Sequence, residues 1–384
     1  MDDYMELEQE DYENDIANEF DSFNSAVVWG MDWTAETIAN QLEKGNIDIN
    51  PKFQRRDAWT QEEKSRLIES LMLGLPVPTI ILAELKERKN SFIVIDGKQR
   101  LLSIKQFCSN KEEFMKLKLK KLEVLSQLEG KTFDELKEDV QYDKYLTAFE
   151  NSTIRTIVIK NWPNEQFLYS VFLRLNTGSK PLSPQELRQA LHPGAFLDFL
   201  DDATADSEVM MELLRNKKPD SRMRDIELAL RYYGYLYNKE NYNGNLRCFL
   251  DETCKLMNGK WEDGELRIKE QFKELEKSIE FCFDIFGSKA AFSKWDGKAY
   301  NNRFNRALFE TFTFYFSDPN VRRGMKANKS KFEEGFKRLC NEDSSFVDSI
   351  SSTTKEKKRV EKRFLTIENL IDHIIPDLSK RYKG

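Results

Sequence analysis

Phe92-Ile93-Val94-Ile95-Asp96-Gly97-Lys98-Gln99-Arg100-Leu101-Leu102 is the stretch on which the reading of this chain turns. Four strand-favouring residues run into an Asp-Gly turn, after which Leu101, Leu102, Ile104 and Phe107 resume at helical spacing. The order is strand, tight turn, helix. Gly97 can take backbone angles closed to other residues and lets a ligand approach the main chain. The helix after it opens with unpaired amides and a partial positive charge, which suits an anion. Lys98 and Arg100 add two cations within three positions, and arginine can grip phosphate bidentately. Asp96, at the carboxyl end of the strand, can hold Mg²⁺ or orient a water or hydroxyl. The set suits a nucleotide polyphosphate with a metal. The plainer alternative is an ordinary turn with an exposed first helical turn.

Upstream, Thr34 to Lys44 reads as a short helix with Ile38 and Leu42 on one face, and Ile47 to Pro51 as an extended or turn segment. Thr60-Gln61-Glu62-Glu63 is a capping box that opens a helix carrying Leu67, Ile68, Leu71 and Met72, stopped at Gly74. Thr79 to Ala83 is a buried strand, and Glu84 to Lys89 turn the chain into the strand that precedes Asp96. Downstream, residues 118–124 and 153–159 read as further strands, and Asn164 to Leu175 as a helix broken at Asn176-Thr177-Gly178. Ser183-Pro184-Gln185-Glu186 is a second capping box with proline at the first helical position. Beyond it strand signals nearly vanish. Residues 222–238, 264–287, 302–316, 330–340 and 364–375 read as helices. The expected class is α+β, with an acidic, disordered tail over 1–25, a mixed-sheet domain over 26–185 and an all-α domain over 186–384.

Composition narrows the chemistry. Two histidines in 384 residues, His192 and His373, leave little for a histidine-based nuclease, a two-histidine metal centre or a Ser-His-Asp hydrolase. His192, beside Pro193, reads as a helix end. Five cysteines without a CxxC pair argue against a zinc ribbon or a disulfide framework and fit a reducing cytosol. Nothing in the pattern calls for zinc, haem or flavin. No run approaches the ~18 apolar residues of a membrane span, and the amino end is acidic where a signal peptide is basic, so a cytoplasmic location without membrane contact is expected.

Charge is uneven. Residues 1–21 hold ten acids and no base, while the remainder carries a small positive excess. Such a block is a solvated tail or an arm that covers a basic surface and keeps out phosphate-rich ligands. Basic clusters recur at Arg55-Arg56, 116–121, 215–224, 322–331 and 355–363, and 215–224 and 322–331 are candidate DNA contacts. The last cluster reads as an exposed helix. Tyr232, Tyr233, Tyr235, Tyr237 and Tyr242 either pack a core or stack on bases. Arg303 and Arg306 precede an apolar helix and are expected to pair with acids such as Asp225 or Glu227.

Several segments together resemble one family. Phe53-Gln54-Arg55-Arg56 with Trp59, Arg66 to Ser70, Leu75-Pro76-Val77-Pro78 and Val94 to Arg100 resemble the ParB/sulfiredoxin-like domain at the amino end of GmrSD-type modification-dependent restriction enzymes and phage-defence proteins. That family's signature is Asp-Gly-Gln-Gln-Arg. Phe172 to Gly178 with Leu182-Ser183 and Glu186-Leu187 resembles its second motif, and Arg222 to Tyr232 and Phe286 to Phe292 its helical portion. The resemblance implies a domain that binds, and in several members hydrolyses, GTP or ATP with Mg²⁺. Carried over, Asp96, Gln99 and Arg100 would be catalytic, with Asp96 as the metal ligand. Gly97 and Lys98 would line the phosphates, with Gln54, Arg55 and Arg56 as upstream and Arg174 and Asn176 as downstream partners. Lys98 stands where the signature has its first Gln, which adds charge and leaves hydrolysis open. The family's His-dependent nuclease domain has no counterpart here, so a separate nuclease or defence partner is expected. The other reading is a non-catalytic DNA-binding regulator or adaptor with a ParB-like clamp.

Overall fold

The computed structural model describes residues 26–47, 49, 56–109, 114–175, 183–351 and 353–376. The acidic tail lies outside them, as do Gln54, Arg55 and Asn176. The described residues divide into two compact units, one within 26–191 with 221–223, the other within 192–220 and 224–376.

The first unit is a mixed sheet with helices on both faces. Among the described residues its strands are β1 (Val27–Thr34), β2 (Ile80–Glu84), β3 (Phe92–Asp96) and β4 (Thr153–Lys160), in the spatial order β1-β4-β2-β3. The β1/β4 and β2/β3 pairs are antiparallel and β2/β4 is parallel. Its helices are α1 (Ala35–Glu43), α2 (Gln61–Met72), α3 (Lys98–Cys108), α4 (Phe133–Lys137), α5 (Asp143–Asn151), α6 (Glu165–Leu175) and α7 (Pro184–Leu191). Ile38, Ile68, Leu71, Leu101, Leu102, Phe107 and Phe149 pack one face of the sheet against α1, α2, α3 and α5. Leu168, Phe172 and Leu187 of α6 and α7 join Ile93, Ile95 and Ile159 on the other. Side-chain alternation along β3 therefore feeds two cores, which fixes its register.

Both capping boxes form. Thr60 Oγ1 accepts from the Glu63 amide while Glu63 takes the Thr60 amide at 2.7 Å. Ser183 and Glu186 exchange the same pair of bonds at the head of α7. Two expectations differ from the structure, and one strand was not expected. Residues 118–124 are not a strand. Ser65 Oγ takes the Lys120 amide, and the buried Glu69 carboxylate takes those of Glu123, Val124 and Leu125, so these donors have partners without a ladder. Burial acts to raise the Glu69 pKa, but those amides and Arg66 hold it below its ordinary value. Strand β1 gave no clear signal, because as an edge strand it leaves Val28 and Trp29 exposed and shows no alternation. Finally, α7 sits with the sheet through Leu187, so the helical unit starts near 192, after α7.

The second unit contains α8 (Ala195–Asp206), α9 (Glu208–Leu213), α10 (Arg224–Tyr237), α11 (Leu246–Gly259), α12 (Trp261–Phe286), α13 (Arg306–Phe316), α14 (Pro319–Met325), α15 (Lys329–Glu342), α16 (Ser344–Ser349) and α17 (Lys357–Ile374). Tyr232, Tyr233, Tyr235 and Tyr242 are buried among rings such as Phe249 and Phe364, so they pack the core and are closed to bases. Glu227 is held by Arg231, at 2.8 Å, and Arg303 is exposed, which corrects the expected Arg303 pairing. Arg363 is buried, so the 355–363 run is exposed only in part.

Candidate functional site

The corner between β3 and α3 is built by local geometry. The β2/β3 register shifts between Ile81 and Leu82, opposite Asp96. Such irregularities re-aim a strand's end. Gly97 then takes φ 100°, ψ 12° as the residue before α3, and no side chain caps that helix. A Cβ there would lie 3.1 Å from Ile80 Cγ1 and 3.2 Å from Arg100 Nη2, so the backbone angle favours glycine and the space for a side chain is tight.

Arg100 folds back over this glycine. Its Nη2 donates to Asp96 Oδ2 at 2.8 Å and to the Thr79 carbonyl at 3.0 Å. The Asp96 side chain is 39% exposed and that of Arg100 13%. The pair therefore forms the rim of the corner, with the carboxylate outward. Buried polar atoms with no hydrogen-bond partner include Gln99 Oε1 and Arg100 Nε. Unused capacity of this kind beside an uncapped helix start is uncommon in a finished interior.

Lys98 goes elsewhere. Its ammonium donates to Glu186 Oε1 at 2.6 Å, and both side chains are 6% exposed. Glu186 uses its other oxygen on the Ser183 amide at 2.7 Å. Lys98, expected to add a positive charge at the phosphates, has that charge matched by an acid 88 residues away.

Arg56 is 1% exposed, and Arg174 stands exposed in the last turn of α6. Lys64 was missed. Its buried ammonium joins the Asp57 carboxylate and Gln106 Oε1 of α3, and Asp57 also accepts the Trp59 amide. This ties the turn after Arg56 to the helix that carries the motif. Burial brings the Lys64 pKa down to about 8. The signal was present: Lys64 shares the apolar face of α2 with Leu67, Ile68 and Leu71.

The comparison with protein families now bears on this geometry. Residues 36–193 match the GmrSD restriction endonuclease, N-terminal domain. This segment belongs to that family. The match starts in α1 and ends two residues past α7, so it takes in β2, β3 and β4, the helices on both faces of the sheet and the β3–α3 corner, and leaves the edge strand β1 outside. No curated protein and no solved structure matches the chain.

In the helical unit the two candidate DNA clusters are partly spent. Arg215 donates to the Lys289 carbonyl, Arg224 pairs with Asp220, Arg322 with Glu274, and Lys329 with Asp284. Lys217, Lys218, Arg323, Lys326 and Lys331 are exposed. His192 is buried directly after α7, its Nε2 3.7 Å from Asp251 Oδ1, with Arg247 3.5 Å from the same carboxylate. Among the described residues no helix is long and apolar enough to cross a membrane.

Proposed function

We propose that the chain is a component of a restriction-type phage-defence system whose GmrSD N-terminal domain binds a nucleoside triphosphate, GTP or ATP with Mg²⁺, at the β3–α3 corner. The defence context follows from the domain family. The observation that carries the nucleotide reading is the corner itself: an uncapped helix start behind a left-handed glycine, rimmed by Asp96 and Arg100. Phosphate oxygens would take the first amides of α3, and the Arg100 guanidinium would turn from Asp96 toward them. Mg²⁺ bound together with phosphates needs one or two protein carboxylates, and Asp96, exposed at the rim, offers one. Gln99 would supply its unpartnered oxygen to a water or a nucleotide donor.

One observation favours a non-hydrolytic variant of this reading. Lys98 is neutralised by Glu186, which leaves Arg100 as the motif's cation for the phosphates. Binding without turnover would then make the domain a nucleotide-gated adaptor for DNA and a separate nuclease. Turnover of GTP and ATP with Mg²⁺ separates the variants. In the hydrolytic one, Asp96→Ala abolishes phosphate release. In the adaptor one, wild type binds nucleotide and releases none. Failure of wild type to bind either nucleotide would overturn both.

A further inference from the structure

Helices α15 and α17 enclose an open groove of about 540 Å³. Lys331, Glu334 and Arg338 of α15 line one wall, and Leu370, His373 and Ile374 of α17 the other. Gly335 lies at the floor, where a Cβ would meet Leu370 Cδ1 at 2.5 Å, so the two helices close tightly beneath the opening. Neighbouring cations are paired: Lys337 with Glu333 and Lys329 with Asp284 at 2.6 Å, Lys362 with Asp343 at 3.0 Å, and Arg322 with Glu274. Among the described residues Lys331 and Arg338 have no such acid, and both are exposed. The groove thus presents two cations without a paired acid, with the Glu334 carboxylate between them on the same wall and Gly335 and Leu370 beneath.

We propose that this groove docks the chain's own acidic amino-terminal segment, residues 2–21. Charge complementarity selects it: the segment holds ten acids and no base. Spacing agrees. Lys331 and Arg338 are seven residues apart on one helix, about 10 Å along its axis, and an extended chain covers that in about three residues. Acids three apart recur in the segment, at Asp3 and Glu6, Glu8 and Asp11, and Glu10 and Glu13. Asp3-Tyr4-Met5-Glu6 places two apolar residues between its acids, opposite Leu370 and Ile374. The proposal is independent of the nucleotide reading. Docked, the segment occupies a basic surface that a nucleic-acid backbone would otherwise use.

The test uses the full chain in dilute solution. A water-soluble carbodiimide joins a carboxylate to a lysine amine as an amide, the activated oxygen leaving in a urea, and mass spectrometry locates the link. Links from residues 2–21 to Lys331 should exceed those to Lys217 and Lys218, which are exposed too, by about fivefold or more, and should fade in about 1 M salt. Arg338→Glu, which keeps the Lys331 acceptor, should cut them about fivefold, while Lys218→Glu should leave them unchanged. Links spread evenly over exposed lysines, or indifferent to Arg338→Glu, would overturn the proposal. So would absence of links together with a loss of duplex DNA binding in Arg338→Glu, which would assign the groove to nucleic acid.

Discussion

The helical unit and the sheet unit hold their arginines in opposite ways. In the helical unit Glu310 takes Arg231 on one oxygen, at 2.7 Å, and Arg363 on the other, and all three side chains are at most 3% exposed. Glu227 adds a second acid to Arg231, and Arg363 also donates to the Thr354 carbonyl. That network has its carboxylate fully used and shut away from water. At the β3–α3 corner Arg100 meets one carboxylate that stays 39% exposed, and an adjacent glutamine oxygen has no partner. The first arrangement fixes three helices, while the second leaves valence for a ligand. Arg363 Nε lacks a partner as Arg100 Nε does, so exposure of the paired carboxylate, more than charge or spare donors, separates the arginines of the closed network from the one at the corner.

The largest effect should come from breaking the closed network. Glu310→Ala leaves two buried guanidinium groups short of an acid and should cost about 3–5 kcal/mol, read as a lowered urea midpoint, with nucleotide binding by any folded fraction intact. Glu186→Ala should cost about 3 kcal/mol by stranding Lys98, while Lys98→Met with Glu186→Leu should return close to wild-type stability. If the double variant keeps stability but loses nucleotide affinity, Lys98 belongs to the open set after all. Gly97→Ala forces a side chain into the left-handed region and should cost about 1–2 kcal/mol, with a larger loss of binding than of stability. The smallest effect belongs to an outlying ion pair. Burial acts to raise the Asp343 pKa, but bonds from Ser345, the Phe346 amide and Lys362 bring it down to about 2. Because the folded pKa is depressed, this contribution is present above about pH 4 and is lost as pH falls through about 2. Asp343→Ala should cost roughly 1 kcal/mol at neutral pH, mainly through the lost cap of α16, and the difference from wild type should shrink in acid.

Features governed by neighbours in sequence were legible. Both capping boxes, the strands around Ile81, Val94 and Ile157, and the strand–turn–helix at Asp96–Gly97 rest on local backbone chemistry, and each forms. Features decided by distant partners were not. Nothing near Lys98 announces Glu186, and nothing near residue 120 announces that Ser65 and Glu69 will take its amides. The edge strand β1 is stabilised by its pairing with β4 and shows no alternating pattern of its own. Lys64 was readable in principle, as a cation on an apolar helical face.

Calorimetric titration of GTP and ATP with Mg²⁺ into wild type and Arg100→Ala tests the central claim most directly. The account predicts one saturable site per chain in wild type and an affinity at least about tenfold weaker in the variant, roughly 1.4 kcal/mol, with the thermal midpoint nearly unchanged. Equal affinity in the two proteins, or no heat with either nucleotide in wild type, would contradict it.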